Sequence, residues 1–481
     1  MATLSSPGLG SGLDVSGIVT QLMALERRPV TLQQQLTTRY ETQLSAFGKL
    51  QSAMTTLRDA ARSLTDASTW TPTTVASSNA AAVTATSTGL APPGSYSIGV
   101  TNLAAAQTLV SATTFGASTA SVGSGSLTIE LGRWNAGQTT FTPKDGVTAV
   151  TVDIASGSDS LAAVRDAING AGAGVTASIV NDASGARLSL RSTSTGEANA
   201  FRITTVDADD GIHDDGAGLS RLAFDPSNAV NQMQQRLAAA NANAVINGVP
   251  ISSATNTMTD VIDGLTVQLS QVTTSNVDLT VNRDNAAIKK SVTNFSSAYN
   301  DLHKLMREQT RFDEGSKKAG TLQGDRSAVS LISQVRSLIG ASNAASTTFT
   351  RLFDIGLEPQ RDGSLKLNDA KLDTAVGRLP ELKAFFSRNE TGTEFDGFGV
   401  LLRDFGTGTL AADGVLTTRQ DNLRNTIKRS KDSVSRMEDR LALTEKRLRD
   451  QYSRLDTNMA KLTSLQGYVG QQITNWNKSS G

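Results

Sequence analysis

The stretch IKRSKDSVSRMEDRLALTEKRLRDQYSRLDTNMAKLTSLQGYVGQQITNW, residues 427–476, decides the fold class. Every seventh residue in it is apolar: Ile427, Val434, Leu441, Leu448, Leu455, Leu462, Val469 and Trp476. A seven-residue repeat holds one face of an α-helix against one partner, so the stretch reads as a coiled-coil-like helix. A second apolar row drifts by one residue, from Leu423 and Met437 to Tyr452, Met459 and Ile473. Such drift belongs to a nearly straight helix, whose period lies slightly above 3.5. No Pro and only two glycines, Gly467 and Gly470, interrupt 419–476. At 1.5 Å per residue such a helix is about 87 Å long. One narrow stripe on so long a helix cannot bury itself in a compact domain, and it must pair with another helix, in this chain or a neighbouring one.

The candidate partner lies at the other end. From Val30 to Thr71 there is no Pro and a single Gly, and apolar residues fall at Leu36, Tyr40, Phe47, Leu50, Met54, Leu57, Ala61 and Leu64. From Phe47 onward the spacing is an unbroken three-four alternation, that of a helix laid along another helix. Pro29 either starts this helix or kinks a longer one that begins near Asp14.

Between these ends the character changes. No residue from Ala67 to Ile129 is charged, and short alternating runs follow one another: Tyr96–Val100, Leu127–Leu131, Val175–Val180, Arg187–Arg191, Leu265–Leu269 and Val277–Val281. Turn residues such as Asn181-Asp182-Ala183-Ser184-Gly185 separate them, which reads as antiparallel β-structure with a helical excursion at Ser160–Asn169. Helical patterning returns at Ala286–Arg311, Ala328–Leu338 and Leu379–Phe386.

Composition bounds the function. The chain has 481 residues, too many for one hydrophobic core, with 45 basic and 45 acidic residues and only 5% aromatics. Balanced charge gives no global attraction to nucleic acid or membrane. The tail 419–481 is basic, thirteen Lys/Arg against seven Asp/Glu, but its charges alternate as on a solvated helix face. Absence of Cys removes disulfides and thiolate catalysis. No apolar run is long enough to span a bilayer, and Met1–Gly12 lacks the pattern of a cleavable signal peptide.

A search for chemistry yields little. His213 and His303 have no recurring partner pattern. The acidic run Asp207–Asp215 puts Gly at its fifth position where a calcium loop needs it at the sixth, so a solvated turn is the better reading. Gly8-Leu9-Gly10-Ser11-Gly12 follows no strand and has the wrong spacing for a dinucleotide loop. Nothing converges into an active site, and neither an enzyme activity nor a cofactor is expected.

Three stretches carry a resemblance. Gly8-Leu9-Gly10-Ser11-Gly12-Leu13-Asp14, with the amphipathic segment ending Leu25-Glu26-Arg27-Arg28-Pro29, resembles the opening of the flagellar filament-capping family, also called the hook-associated protein 2 family. Phe353-Asp354-Ile355-Gly356, followed by Asp362-Gly363-Ser364-Leu365-Lys366-Leu367 and Phe385-Phe386, resembles that family's C-terminal region. Ser160–Asn169 with the two runs after it resembles the insertion module shared by flagellins and capping proteins.

The resemblance implies a secreted, extracellular protein exported through the flagellum and seated at the distal filament tip. It would form a ring homo-oligomer, a pentamer in the best-known members. That ring would prevent flagellin leakage, promote flagellin folding and insertion, and contact flagellin and the hook–filament junction proteins. A cytoplasmic export chaperone would hold the C-terminal helix, host adhesion would be a secondary role, and no nucleic acid or membrane insertion is implied. The fifteen ladder residues named above, from Leu36 to Leu64 apart from Ala61 and from Ile427 to Trp476, would serve in helix packing and filament anchoring. Two other readings stand beside this one: flagellin or a hook–filament junction protein, and a β-headed adhesin on a helical stalk.

The expected fold is α+β, with long coiled-coil-like terminal helices, a helical leg domain and an inserted antiparallel β head of two nested domains. The expected divisions are 1–70 for the leader and leg helix, 71–113 plus 240–283 for the inner head, and 114–239 for the outer head, with the insertion module near 160–205. The helical leg domain takes 284–418 and the C-terminal helix 419–481.

Overall fold

The computed structural model describes residues 14–89, 91–315, 317–390 and 395–479. The Gly/Ser leader up to Leu13 lies outside the described residues. Nine α-helices are found among the described residues: α1 (Val15–Glu26), α2 (Arg28–Ser63), α3 (Leu161–Gly170), α4 (Asn285–Thr310), α5 (Arg326–Gly340), α6 (Asp369–Gly377), α7 (Leu379–Ser387), α8 (Phe398–Leu410) and α9 (Val415–Ser479). Two compact units result, one drawn from 1–70 with 286–481, the other from 71–285.

In the helical unit the ends of the elements are set by local chemistry. Asp14 caps α1 by accepting from the Gly17 N–H at 2.8 Å, satisfying a donor that the first turn would leave free. Pro29 stands in the first turn of α2, where its missing N–H costs least, and Arg27, itself in helical conformation, separates the two helices. One core then gathers Phe47, Leu50, Met54 and Leu57 of α2 and Leu64 just after it with Phe295, Tyr299 and Leu302 of α4, Phe385 and Phe386 of α7, and Leu416 and Leu423 of α9. Trp70 lies on Phe386 with ring centroids 5.9 Å apart, and its indole N–H donates to the Leu64 carbonyl at 3.1 Å. The three segments expected separately, 1–70, 284–418 and 419–481, thus share a single core. The inward face of α2 is completed by α8 and the start of α9, with α4 and α7 in the same core.

The β unit begins with β1 (Thr73–Ser77), β2 (Val83–Ser87) and β3 (Gly94–Asn102). There follow β4 (Thr108–Ser111), β5 (Gly125–Trp134), β6 (Phe141–Pro143), β7 (Val150–Ile154), β8 (Val175–Asp182), β9 (Gly185–Ser192) and β10 (Ala200–Asp207). Next come β11 (Phe224–Asp225), β12 (Val230–Asn231) and β13 (Met233–Leu237). The unit closes with β14 (Ala242–Ile246), β15 (Val249–Ser253), β16 (Thr257–Ile262), β17 (Leu265–Leu269) and β18 (Val277–Arg283).

Strands from its two ends pair antiparallel in the order β1-β18-β3-β14-β15, beside a three-stranded sheet β16-β17-β2. Val75 faces Val281 and Ile98 faces Val277, so the uncharged early strands find apolar partners from the last ones. Ile246, Val267 and Leu269 are buried in this core, whereas Val245 points outward, as period-two alternation demands. A second core lies between the sheet β12-β11-β10-β5-β6, with β7 on β5, and the sheet β13-β4-β9-β8, with α3 packed by Leu161, Val164 and Ile168. Ser160 caps α3, accepting from the Ala163 N–H at 3.2 Å.

The division expected after residue 113 falls elsewhere. β4 bonds to β9 and β13, and its Leu109 is buried in the outer core, so β4 goes with the outer strands. The chain crosses instead at Ala105 and Ala240, which bond to each other through both backbone groups at 2.9 and 3.1 Å. Composition does not change at Ala105, because β3 and β4 are equally free of charge.

Two predictions follow from these cores. Replacing 107–238 by Gly-Gly, between two strands that already bond, leaves an inner β core whose thermal unfolding stays cooperative by circular dichroism. Excising 114–236 strands Leu109 without its core and yields a product that binds hydrophobic dye.

His303 of α4 is buried, stacks on Tyr299 at 5.9 Å, and lies 3.5 Å from the Arg336 guanidinium. Gly363, at φ +92°, turns against it; a Cβ there would come within 2.7 Å of Nε2. Burial, then Arg336 and Arg307, lowers the His303 pKa, and Asp362 opposes them. The folded chain therefore keeps this histidine neutral while the unfolded chain protonates near 6.5, so its contribution is present above that pH and lost as pH falls. Urea midpoints measured from pH 7.5 to 5.5, above the range where the lowered carboxylates Asp362 and Glu381 titrate, decline in the parent. That part of the slope disappears in His303→Gln.

Candidate assembly surface of the terminal helices

α9 spans 65 residues and runs antiparallel to α2 and then to α1. The order of contacts shows this: Gln51 meets Gln420 at 2.8 Å, Thr37 meets Ser430 at 2.7 Å, and Gln34 meets Glu438 at 3.2 Å. Beyond α2, the i, i+4 row Val15, Val19 and Met23 of α1 packs on Leu441, Leu448 and Tyr452.

The seam is polar at its centre. Ser430 and Thr37 are buried; the Gln33 amide donates to Ser430 Oγ at 2.7 Å, and Thr37 donates to the Gln33 carbonyl at 2.9 Å. With Ser430 donating to Thr37, every hydroxyl is used, and a one-turn slip would leave these groups buried without partners. Arg419 anchors the start of α9 by donating to Asp325 Oδ2 at 2.7 and 3.0 Å, while the other carboxylate oxygen caps α5. Lys431 pairs with Glu41 at 2.7 Å on the same flank as the Gln34–Glu438 bond.

The predicted ladder divides into three parts. Ile427 is buried, while Val434, Leu441 and Leu448 are half-buried. Leu455, Leu462, Val469 and Trp476 are exposed, at 46%, 60%, 46% and 74%. On α2, Phe47, Leu50, Met54 and Leu57 are buried, as is Leu64 just after it, and Tyr40 is half-buried. Leu36 is 41% exposed, because the row that faces α9 is Val30 and Thr37 and Leu36 sits one residue off it. A ladder covered along its whole length by the N-terminal helix is not what the structure brings together. α1 reaches only to Tyr452, and α9 continues past it.

Sequence reasoning missed Val15, Val19 and Met23, although their four-residue spacing was available, and also the polar seam residues Thr37, Gln420 and Ser430. Polar groups in a helical stripe carry no sign of burial before the partner helix is known. Elsewhere the Asp207 carboxylate accepts from the Asp209 and Ser220 N–H groups at 2.9 and 3.0 Å, an arrangement of a turn closing on its own backbone. Among the described residues no group of three or more His, Asp or Glu is placed to hold a metal ion, and no helix is long and apolar enough to cross a membrane.

Both chain ends are gathered in one helical body, and the β cores are inserted between them in the sequence. Models of the flagellar hook-associated protein 2 N-terminus and C-terminus match residues 11–107 and 239–464, and a flagellin hook IN motif matches 138–194. The chain is 31% identical to the flagellar hook-associated protein 2 of Escherichia coli K12 over 99% of both chains. It is 32% identical to the B-type flagellar hook-associated protein 2 of Pseudomonas aeruginosa over 90% of both. A crystal structure of the D1-D2-D3 domains of the flagellar cap protein from Escherichia coli superposes with a TM-score of 0.62 at 30% identity, covering 79% of this chain and 99% of that one. The chain belongs to the flagellar hook-associated protein 2 family.

α1 is held by three buried side chains alone, and this can be measured. Leu441→Ala with Leu448→Ala removes part of its packing surface, and tryptic cleavage between Arg27 and Arg28 accelerates by on the order of tenfold or more. The urea midpoint of the helical core, to which neither residue belongs, stays near that of the parent.

Proposed function

We propose that this protein is the structural cap at the distal end of a bacterial flagellar filament. It assembles as a ring of identical subunits, a pentamer, that retains flagellin and promotes its folding and insertion. It is exported through the flagellum, with a cytoplasmic chaperone on its C-terminal helix, and it meets flagellin and the hook–filament junction proteins outside the cell. It catalyses no reaction, and its head is built of the two nested β domains that the two separate β cores support.

The observation that carries the anchoring role is the exposed outer third of α9. Leu455, Met459, Leu462, Leu465, Val469 and Ile473 follow one another at steps of three or four, and between Thr457 and Asn477 Lys461 is the single charge. Such a stripe stays in water at a cost unless another subunit covers it, each leucine contributing roughly 1.5–3 kcal/mol when fully buried. The ladder residues nearer the core act differently: Leu441 and Leu448 hold α1, and Phe47, Leu50, Met54, Leu57, Leu64 and Ile427 hold the helical body.

The test is Leu455→Asp with Leu462→Asp in the cell that makes this protein. Both positions are exposed in the isolated chain, so the purified variant keeps the parent's thermal midpoint. It is exported, but swimming is lost and unpolymerised flagellin collects in the medium. Normal export with parental swimming would remove the anchoring role from this stripe.

A further inference from the structure

The two flanks of the α2–α9 seam differ. One is closed by the Gln34–Glu438 and Lys431–Glu41 bonds. The other is open: a groove of about 310 Å³ lies between the helices, with Glu26, Pro29 and Val30 on one wall and Met437, Leu441, Thr444 and Arg440 on the other, so that Glu26 is the single acid in its lining. Pro29 belongs to a row. Leu22, Leu25, Leu32 and Leu36 stand at three-four spacing on either side of it, exposed by 37%, 56%, 61% and 41%. This row is separate from Val15, Val19, Met23 and Val30, which α9 covers. The N-terminal helices therefore carry two apolar stripes and use one.

The rims of the groove are basic. On α9, Arg436 and Arg447 stand four residues before and seven after Arg440, on its face of the helix. On α2, Arg28 precedes Leu32 by four and Arg39 follows Leu36 by three. All five are exposed, and none has an ion pair among the described residues. A long apolar floor between two rows of free cations is complementary to one kind of object.

The geometry points to this groove as the docking site of a third helix, supplied by a different protein, whose leucine seam lies on Leu22, Leu25, Leu32 and Leu36 and whose flanking carboxylates meet Arg28, Arg39, Arg440 and Arg447. The spacing fits a helix of about two heptads, since Leu22 to Leu36 covers about 21 Å. A second copy of this chain is the poorer occupant. Its exposed helix, α9 beyond Tyr452, offers Asp456 as its one acid against Arg454 and Lys461, and would set cation against cation. Charge at this rim selects the partner and the apolar floor holds it. The site extends the capping role to a distinct face of the same helices, away from the exposed ladder.

The test uses the full chain, purified, and three labelled helical peptides read by fluorescence anisotropy, so it does not depend on whether the chain caps a filament. Two synthetic peptides share a leucine seam and differ in having Glu or Lys at the flanking positions; the third is residues 453–479 of this chain. The Glu-flanked helix binds at least about tenfold more tightly than the Lys-flanked one, and loses about tenfold between 50 and 500 mM salt. Leu25→Glu with Leu32→Glu abolishes binding, and Arg440→Glu with Arg447→Glu reverses the Glu/Lys preference; both pairs are exposed, and matched thermal midpoints establish intact folding. Equal binding of the two synthetic helices, no saturable binding, or preference for the 453–479 peptide would overturn the proposal, the last by making a second copy the occupant.

Discussion

The antiparallel seam between α2 and α9 is the contact on which the helical unit depends. It joins Thr37 to Ser430, nearly four hundred positions apart in the chain, and everything between them becomes an insertion in a closed loop. Because Phe47, Leu50 and Leu57 from one end share a core with Leu416 and Leu423 from the other, neither terminal helix is a removable appendage. Loop-closure entropy grows only slowly with loop length, so a large β unit can occupy the loop without forbidding the seam. The apolar core supplies the attraction, and the Gln33–Thr37–Ser430 bonds choose the register.

Along α9 the environment grades from core to water. Leu416, Leu423 and Ile427 are buried, Val434 to Tyr452 are half-covered, and from Leu455 the stripe is open. The gradient has a geometric cause. α2 and α1 together are shorter than α9, and the break at Arg27 divides them into a long firmly packed helix and a short one held by three side chains. Local stability follows the same order, since opening free energy tracks buried apolar contact. The segment with fewest internal contacts is thus the one that presents the repeating apolar surface, which suits a part that is finished only by a neighbour.

The β unit repeats the logic of insertion on a smaller scale. Its first and last strands pair to make one core, and the strands between make another, entered and left at two alanines that bond to each other. Small residues at this crossing let the two chains approach. Gly185 does similar work in the β8–β9 hairpin, where φ is +128° and a Cβ would lie 2.4 Å from the Phe115 carbonyl oxygen.

Periodicity and turn chemistry are local, and they were legible. The seven-residue ladder announced α9, the Phe47–Leu64 spacing announced α2, the run Ser160–Asn169 announced α3, and Asn181–Gly185 announced a turn between two strands. The order of helix, β and helix, and the pairing of early with late strands, followed from which segments needed apolar partners. What a pattern cannot state is how far a partner extends. The ladder looks the same at Leu441 and at Leu462, yet one packs on α1 and the other stands in water, because coverage depends on where α1 lies along α9. Leu36 and Thr37 show the same limit in miniature: hydropathy favours the leucine, but rotation about the helix axis buries the threonine. Assignment of β4 to the outer core, and the open basic groove beside Pro29, likewise arise from strands and helices distant in sequence. Their meeting is fixed by tertiary packing, where the orientation of each face is set by all the others.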